Sequence, residues 1–244
     1  MKSARSKGKR ARSGLVIAMD GPAGVGKSTI GTMVAKELGF RFINTGEMYR
    51  ALTWKALEEG IDPTDGDALT RLAKRLTWEF RTVGEGVVIR THIDGKGVTT
   101  QIREERVSKN SSIVAGAGGV RRLLRDMQRK LGEDGSIVME GRDITTNVFP
   151  DADFKVYLDA SIEERAKRRT KQLRQQGKPA DYDKILDAII QRDRGDLQRK
   201  INPLTQAKDA IVIDSTKMTM VETAEEILKL IRSKRKAGIE GATR

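Results

Sequence analysis

The sequence is poor in residues on which several common chemistries depend. Its 244 residues include no cysteine, which excludes a disulfide framework, a zinc–thiolate site and a thiol nucleophile. A single histidine disfavours a histidine-dependent catalytic triad. No apolar run reaches the roughly 18 residues that a membrane-spanning helix needs, and the basic start of the chain lacks the apolar segment of a secretory signal. We therefore expect a soluble, cytoplasmic protein.

Positive charge exceeds negative charge, and the excess is concentrated in three stretches. The chain carries 47 Lys and Arg residues against 34 Asp and Glu, a formal net charge of +13. Residues 1–14 hold six basic residues and no acidic one, residues 232–244 hold five against one, and residues 163–200 hold twelve against seven. We interpret residues 1–14 as a disordered basic tail, a solubilising arm in preference to a nucleic-acid-binding arm, and residues 232–244 as a frayed helix end and basic tail.

Apolar segments alternate with helical patterns along the rest of the chain. The continuous apolar run Leu15–Met19 predicts a strand buried on both faces, and a glycine-rich turn and an amphipathic helix follow it. Four further strand candidates are Phe40–Ile43, Ser136–Met139, Phe154–Leu158 and Ala210–Ile213. This repetition predicts a three-layer α/β/α fold, in which helices cover both faces of a parallel central sheet and ligands bind at the carboxyl ends of the strands.

Residues 77–100 interrupt this alternation. Trp78 and Phe80 alternate with charged residues, a β-rich run follows at Val87–Ile89, and an Asp-Gly pair at 94–95 is a hairpin-turn signal. The segment predicts a small antiparallel insert in an otherwise parallel protein.

A phosphate-binding loop is the strongest motif. Residues 21–28 read GPAGVGKS, which matches the pattern G-x-x-x-x-G-K-[ST] between a predicted strand and a predicted helix. In such a loop the backbone N–H groups bind phosphate, Lys27 reaches the β- and γ-phosphates, and the Ser28 hydroxyl ligates Mg²⁺. The motif predicts a nucleoside triphosphate with Mg²⁺. Asp20, at the end of the preceding strand, is expected either to orient a group around the metal or to cap a turn.

Other sequence features separate the classes of protein that carry such a loop. No guanine-reading N-K-x-D sequence is present, which disfavours a GTPase, and the chain is short for a motor or a helicase. The length suits a small kinase, in which cations neutralise the transferring phosphoryl group. Arg192, Asp196 and Arg199 are spaced to share one helix face, as either a surface ion pair or a phosphate site. A solvated face and a phosphate site are likewise both open for Arg165, Arg168 and Arg169.

Seven segments, in order and with matching spacing, resemble the bacterial-type cytidylate kinases of the nucleoside monophosphate kinase group. They are IAMDGPAGVGKST (17–29), NTGEMYR (44–50), SSIVA (111–115), EGRD (140–143), VFPDADFKVYLDAS (148–161), RDRGDLQRKINPL (192–204) and DAIVIDST (209–216). The resemblance implies a P-loop kinase domain over residues 15–231. Within it we expect a monophosphate-binding insert at about 45–115, containing the β insert 77–100, and a helical lid at about 163–200.

The resemblance implies which residues bind phosphate. ATP would lie on Gly21, Pro22, Ala23, Gly24, Val25, Gly26, Lys27, Ser28 and Thr29. Thr45, Tyr49 and Arg50 match the monophosphate-binding motif, with Arg50 gripping the acceptor phosphate; core packing is the alternative for Tyr49. Arg142 would share that phosphate, and Arg199 would contact a phosphate when the lid closes.

The resemblance also implies which residues read the base and the ribose. Ser112 and Arg121 match positions that bind the pyrimidine, and Asp143 would help to read the cytosine edge. Arg192 and Asp196 match the ribose contacts, since a carboxylate suits sugar hydroxyls. The residues expected to act in catalysis, by stabilising the transferring charge, are Lys27, Arg142, Arg192 and Arg199.

Two positions depart from the family's pattern. Thr145 stands near a position where glycine is expected and Asn147 near one where an apolar residue is expected, in the loop after Asp143.

We expect a monomer that converts ATP and CMP (or dCMP) to ADP and CDP (or dCDP) with Mg²⁺, and that binds neither membranes nor nucleic acid. Two alternatives stay open: a small P-loop kinase acting on UMP, another monophosphate or a small metabolite, and a nucleic-acid-binding protein switched by a nucleotide.

Overall fold

The computed structural model describes residues 12–242, with side chains up to residue 235. The expected disorder of residues 1–11 therefore lies outside the described residues. Arg12, within the predicted tail, forms an ion pair with Asp151 in which Nη2 and Oδ1 are 3.0 Å apart. Gly14 donates its N–H to the carbonyl of Asp134 at 3.1 Å. The described end of that tail is thus attached to the domain.

The strands form one sheet through the centre of the domain. In chain order they are β1 (Val16–Asp20), β2 (Arg41–Asn44), β3 (Trp78–Val83), β4 (Val88–Ile93), β5 (Lys96–Gly97), β6 (Ile137–Glu140), β7 (Phe154–Asp159) and β8 (Ile211–Asp214). Their order across the sheet is β3-β4-β2-β6-β1-β7-β8, and β5 also pairs with β4. Strand β1 lies between β6 and β7 and runs parallel to both, which confirms the predicted parallel sheet.

Helices cover both faces of this sheet. They are α1 (Lys27–Leu38), α2 (Thr45–Glu58), α3 (Gly66–Arg75), α4 (Glu105–Val114), α5 (Gly118–Leu131), α6 (Ile162–Gln175), α7 (Tyr182–Gln198) and α8 (Met220–Ala242). Along β1, Val16 and Ala18 pack into a core with α2 to α5, whereas Ile17 and Met19 pack into a second core with α1 and α8. Successive strand residues point to opposite faces, so this division confirms three layers.

The insert at 77–100 extends the central sheet. Strands β3 and β4 pair antiparallel, with Trp78 opposite Ile93, as predicted. Strand β4 also pairs parallel with β2, where Phe42 lies opposite Val88. The hairpin therefore forms an edge of the main sheet and is not a separate small sheet, because β4 completes the hydrogen-bonding edge that β2 presents.

Helices α6 and α7 occupy most of the basic segment 163–200. Helix α6 begins after Ser161, whose hydroxyl accepts the N–H of Glu164 at 3.2 Å, and α7 begins after Asp181, whose carboxylate accepts the N–H of Lys184 at 3.2 Å. Both caps satisfy backbone donors that a helix start leaves unpaired. That these helices act as a lid stays a prediction.

Helix α8 continues past Ile231, where we expected the helix to fray into a tail. It runs to Ala242. The residues beyond Ile231 include no proline and are rich in Lys, Arg and Ala, which propagate a helix readily. Arg232 also pairs with Glu37 of α1, with Nη2 and Oε1 2.8 Å apart. Among the described helices, none combines the length and apolarity needed to cross a membrane.

Candidate active site

The glycine-rich loop joins β1 to α1 and has the backbone that its glycines allow. Gly21, Gly24 and Gly26 have φ angles of 147°, 78° and 102°, which side-chain-bearing residues rarely adopt. A Cβ atom on Gly21 would lie 2.0 Å from the carbonyl oxygen of Leu158. Any other residue at position 21 would therefore clash with strand β7, and the loop could not keep this path.

Lys27 is held inside this loop. Its Nζ donates hydrogen bonds to the carbonyls of Gly21 and Pro22, both at 2.7 Å, and the side chain is buried. Burial, together with the positive charge of Arg142, lowers the pKa of the Lys27 ammonium. An anion at the loop would oppose both effects, so the arrangement favours a negatively charged ligand beside Lys27.

Ser28 faces a buried carboxylate that our sequence analysis did not select. Its hydroxyl donates to Oε1 of Glu140, the last residue of β6, and accepts a hydrogen bond of 3.1 Å from the Asn44 side chain. Burial raises the pKa of the Glu140 carboxyl. The signal in the sequence was the apolar run Ile137–Met139 ending in an acid. It became meaningful once the sheet order placed β6 beside β1.

An ion pair between α6 and α7 forms hydrogen bonds with Ala23, the third residue of the phosphate loop. Asp193 accepts the N–H of Ala23 at 3.1 Å, and Arg165 donates to the Ala23 carbonyl at 2.9 Å. Arg165 and Asp193 also bond to each other, and both side chains are buried. The solvated-face interpretation of Arg165 is therefore wrong, because the basic helix packs on the loop.

The two neighbouring arginines of α6, Arg168 and Arg169, differ in their surroundings. Arg168 donates to the carbonyl of Val25 at 3.2 Å and to the hydroxyl of Ser215 at 3.1 Å, so it ties α6 to the phosphate loop and to the segment after β8. Arg169 is exposed and donates to Gln172 at 2.7 Å. Burial and then the positive charge of Arg169 lower the pKa of Arg50, a predicted phosphate-binding residue. Arg169 therefore lies close to Arg50, and a solvated face and a phosphate site both stay open for it.

We expect Asp193→Asn to raise the KM for ATP by about tenfold, because the Ala23 peptide would lose its charged anchor and the loop its position. The KM for the acceptor should stay close to that of the wild type. Steady-state kinetics with each substrate varied in turn would measure both constants. Asp187→Asn, at an exposed position of the same helix, is the matched control. Equal KM values for ATP in the two variants would mean that the Arg165–Asp193 pair does not position the loop.

Asp20 caps a turn. Its carboxylate accepts the N–H groups of Ile144 and Thr145 at 2.9 and 2.7 Å, and the Thr145 hydroxyl at 2.6 Å. Burial raises the pKa of the Asp20 carboxyl, and the hydrogen bonds from Thr145 oppose that change. Of the two roles left open by the sequence, the structure thus supports the capping of a turn, the one that follows Asp143.

The segment Gly141–Asp143 meets α7 through predicted site residues. Arg142 donates from Nε to Oδ2 of Asp196 at 2.7 Å. Although burial opposes it, the charges of Arg142 and Arg192 lower the pKa of Asp196. Arg199 places Nη1 3.7 Å from Oδ1 of Asp196. The i, i+4 spacing thus places Arg192 and Asp196 together on α7, which contacts the Gly141–Asp143 segment. The expected single helix face does not include Arg199, because α7 ends at Gln198 and the backbone of Arg199 is already extended.

Arg121 and Asp143 form a buried pair beside this face. Nη2 of Arg121 donates to Oδ2 of Asp143 at 2.6 Å, and Nη1 donates to the Ala115 carbonyl at 3.0 Å. The guanidinium carbon lies 5.6 Å from the centre of the Tyr49 ring. Tyr49 thus packs against Arg121, so the predicted contact with the acceptor and the packing alternative are compatible.

The other predicted acceptor residues lie on elements around this pair. Thr45 is buried and donates to the Glu140 carbonyl at 2.8 Å. Arg50 donates to the Ile102 carbonyl at 2.8 Å and to the Ser108 hydroxyl at 2.6 Å. Ser112 lies half-buried on α4. Because Thr45 and Arg50 are engaged by protein groups, their phosphate contacts stay predictions.

Three buried guanidinium nitrogens are available to donate hydrogen bonds to a ligand. They are Nε of Arg121, Nε of Arg192 and Nη2 of Arg199, and none has a hydrogen-bond partner among the residues that the structure describes. Nη2 of Arg199 is 3.5 Å from Oδ1 of Asp143, which is an ion-pair contact without hydrogen-bond geometry. Burial and the charge of Arg142 lower the pKa of Arg192 to about 10. Since buried unpaired donors are costly, these side chains suit an oxygen-rich anionic ligand.

Comparison with known proteins agrees with this geometry. A sequence profile of the family described as cytidylate kinase matches residues 17–233. The cytidylate kinase of Bacillus velezensis is 44% identical over 220 residues, which cover 90% of this chain and 97% of that protein. The cytidylate kinase of Bacillus subtilis is 41% identical over 220 residues, with the same two coverages. With a profile spanning nearly the whole described domain and relatives matched over almost their full length, the chain belongs to the cytidylate kinase family.

Proposed function

We propose that the protein transfers the γ-phosphoryl group of ATP to CMP or dCMP and releases ADP and CDP or dCDP. The observation that carries this proposal is the set of unpaired guanidinium nitrogens of Arg121, Arg192 and Arg199, gathered beside Asp143 and Asp196. These groups offer cations to phosphate oxygens, and the two carboxylates offer acceptors to an amino group and to sugar hydroxyls.

The donor nucleotide would lie on the phosphate loop. The loop's N–H groups and the start of α1 would bind the phosphates of ATP, and Lys27 would turn from the carbonyls of Gly21 and Pro22 toward the γ-phosphate. The Ser28 hydroxyl and the Glu140 carboxylate are hard oxygen donors, so they fit Mg²⁺ at this point. An Mg²⁺ ion held there would supply positive charge that neutralises part of the negative charge on the phosphates of ATP.

The acceptor nucleotide would lie between the Gly141–Asp143 segment and α7. We assign the acceptor phosphate to Arg50, Arg142 and Arg199, and the ribose to Arg192 and Asp196. The pyrimidine would meet Ser112, Arg121 and Asp143. These assignments follow the resemblance to the cytidylate kinases. The contacts of Arg121, Arg142 and Arg199 with Asp143 and Asp196 support them, because they gather these charged side chains in one place.

The chemical step needs no strong general base, because the acceptor is already a phosphate anion. An oxygen of the CMP phosphate forms a bond to the γ-phosphorus of ATP as the bond from that phosphorus to the β,γ-bridging oxygen breaks, and ADP leaves with the electron pair. Lys27, Arg142, Arg192 and Arg199 would stabilise the charge that develops. Closure of α6 and α7 would exclude water, which would otherwise accept the phosphoryl group.

Transfer of label tests the reaction directly. ATP radiolabelled at the γ-phosphate, CMP and MgCl₂ are incubated with the protein, and the products are separated by chromatography. We expect the label in CDP, and removal of the divalent cation with EDTA should abolish its formation. Label released mainly as inorganic phosphate, or CDP formed equally well with EDTA, would contradict the proposal.

We further propose that the protein acts as a monomer in the cytoplasm. The chain contains no cysteine and therefore none of the disulfides that are typical of oxidising compartments. Size-exclusion chromatography with light scattering should give a mass near the 27.1 kDa of the chain. A mass near that of a dimer at assay concentrations would overturn the monomer.

A further inference from the structure

The carboxylate of Asp143 is restrained on one of its two oxygens. Oδ2 accepts the hydrogen bond from Arg121 at 2.6 Å and a second one, of 2.9 Å, from the side-chain amide of Asn147. Among the side chains that the structure describes, Oδ1 has only the longer ion-pair contact with Arg199. Two donors on the same oxygen fix the plane of the carboxylate, and they leave Oδ1 as the oxygen available to a ligand.

The turn after Asp143 aims the amide of Asn147 back at that carboxylate. The Asp143 carbonyl accepts the N–H groups of both Asn147 and Val148, at 3.0 and 3.1 Å, which forms a widened helical turn. Arg129 holds the far side of the turn by donating to the carbonyl of Asn147 at 2.7 Å. The backbone of Asn147 is therefore fixed by contacts that do not depend on its side chain. Such wide turns are common at functional sites.

The start of the same turn is fixed as well. Thr145 bonds to Asp20 through both its N–H and its hydroxyl. Thr145 and Asn147 are the two residues that depart from the family's pattern, and each adds a side-chain hydrogen bond to this turn. Of these two hydrogen bonds, only the one from Asn147 is made to Asp143, the residue that we expect to read the base.

We propose that Asn147 is a positioning residue that sets the preference of this enzyme for cytosine over uracil. By holding Oδ2, it keeps Oδ1 of Asp143 directed at the exocyclic group of the acceptor base. This proposal rests on the function proposed above and adds a residue to the selection of the base.

The discrimination follows from what each group can donate. An ionised carboxylate only accepts hydrogen bonds, so Oδ1 pairs with the amino group of cytosine and repels the carbonyl oxygen that uracil carries at the same position. If Asp143 could turn, the guanidinium groups of Arg121 and Arg199 would be free to donate to that carbonyl. Restraint of Asp143 therefore excludes UMP as well as favouring CMP.

Asn147→Ala tests the proposal with CMP and UMP as the probes. We expect the ratio of kcat/KM for CMP to that for UMP to fall about fivefold, the effect of one net hydrogen bond. We expect the KM for CMP to rise and the activity on UMP to increase, whereas the KM for ATP should stay unchanged. Asn147→Asp, which keeps the shape and removes the donor, should lower the ratio further, because it places a second carboxylate against Asp143.

Asn147 is half-buried, so both variants should fold, and thermal melting checks this. Thr146→Ala, at an exposed position of the same turn, is the matched control and should keep the ratio of the wild type. A ratio unchanged in both Asn147 variants while Asp143→Asn lowers it would overturn the role of Asn147 and leave the cytidylate kinase activity standing. A wild-type protein without preference for cytidine nucleotides would instead overturn the proposed function.

Discussion

Lys27→Met is expected to lower kcat for the phosphorylation of CMP by about a thousandfold, the cost of removing a group that stabilises transition-state charge in a water-excluded site. Lys27 lies within the phosphate loop, and its Nζ is 2.7 Å from the carbonyl oxygen of Gly21. Methionine has a similar length and volume but carries no charge, so the loop should keep its packing. The measurement is kcat at saturating ATP and CMP.

The stability of this variant separates catalysis from folding. Burial lowers the pKa of Lys27, so the folded protein disfavours the charged ammonium, and its replacement should not lower the melting temperature. Lys36→Met is the control, since Lys36 lies exposed on the same helix and pairs with Glu85. A Lys27→Met variant that turns over at the rate of the control would remove the phosphate loop from the mechanism.

Arg121→Met is expected to raise the KM for CMP by roughly fiftyfold, because a buried hydrogen-bonded charge pair would lose one partner. Nη2 of Arg121 donates to Oδ2 of Asp143 at 2.6 Å, and its Nε has no hydrogen-bond partner among the described residues. The KM for ATP should remain unchanged, because the hydrogen bonds of Arg121 go to Ala115 and Asp143 and not to the phosphate loop. Initial rates with CMP and ATP varied separately measure the two constants.

The same substitution should lower the free energy of unfolding by about 3 kcal/mol, since it leaves the Asp143 carboxylate buried without its closest cation. In the double variant Arg121→Met with Asp143→Asn, the loss should be smaller than the sum of the two single losses, because neither charge is then left alone. Arg122→Met, exposed one residue along α5, is the control. Equal effects on the ATP and CMP constants would show a general loss of structure and not an acceptor contact.

Much of this fold could be predicted from local patterns in the sequence. The strand before the phosphate loop is apolar throughout because β1 is buried on both faces, and its burial confirms that interpretation. The caps at Ser161 and Asp181 begin their helices as short-range rules require. In contrast, the pairing of β4 with β2 joins residues about 46 positions apart, Phe42 and Val88, and no local pattern specifies that choice.

The residues of the candidate site could be predicted where they belong to one continuous motif. They could not be predicted where the folded sheet brings together residues from distant parts of the chain. Lys27 and Ser28 lie in one motif, and the spacing of Arg192 and Asp196 is a helix period, whereas Arg199 lies just beyond the end of α7. Glu140 reaches Ser28, and Asp193 reaches Ala23, across sequence separations of 112 and 170 residues. Such contacts exist because β6 lies beside β1 and because α7 packs on the loop, so they required the structure.

The departures near residue 145 also needed the structure to be interpreted. From the sequence alone, Thr145 and Asn147 could be identified only as positions where the loop differs from the family's pattern. In the structure their side chains bond to Asp20 and Asp143, so the differences alter how the loop is held and not what reaches the phosphate. Neither side chain bonds to the phosphate loop, and only Asn147 bonds to a residue that we assign to the acceptor base.

The central claim, that a cytidine monophosphate is the acceptor, is tested most directly by a coupled assay of ADP release with a panel of acceptors. CMP, dCMP, UMP, AMP, GMP and shikimate are compared at fixed MgATP, and kcat/KM is determined for each. The site predicts the highest value for CMP or dCMP, with UMP at least about tenfold lower because its carbonyl faces Asp143. A highest value for a purine nucleotide, for UMP or for shikimate would contradict the account.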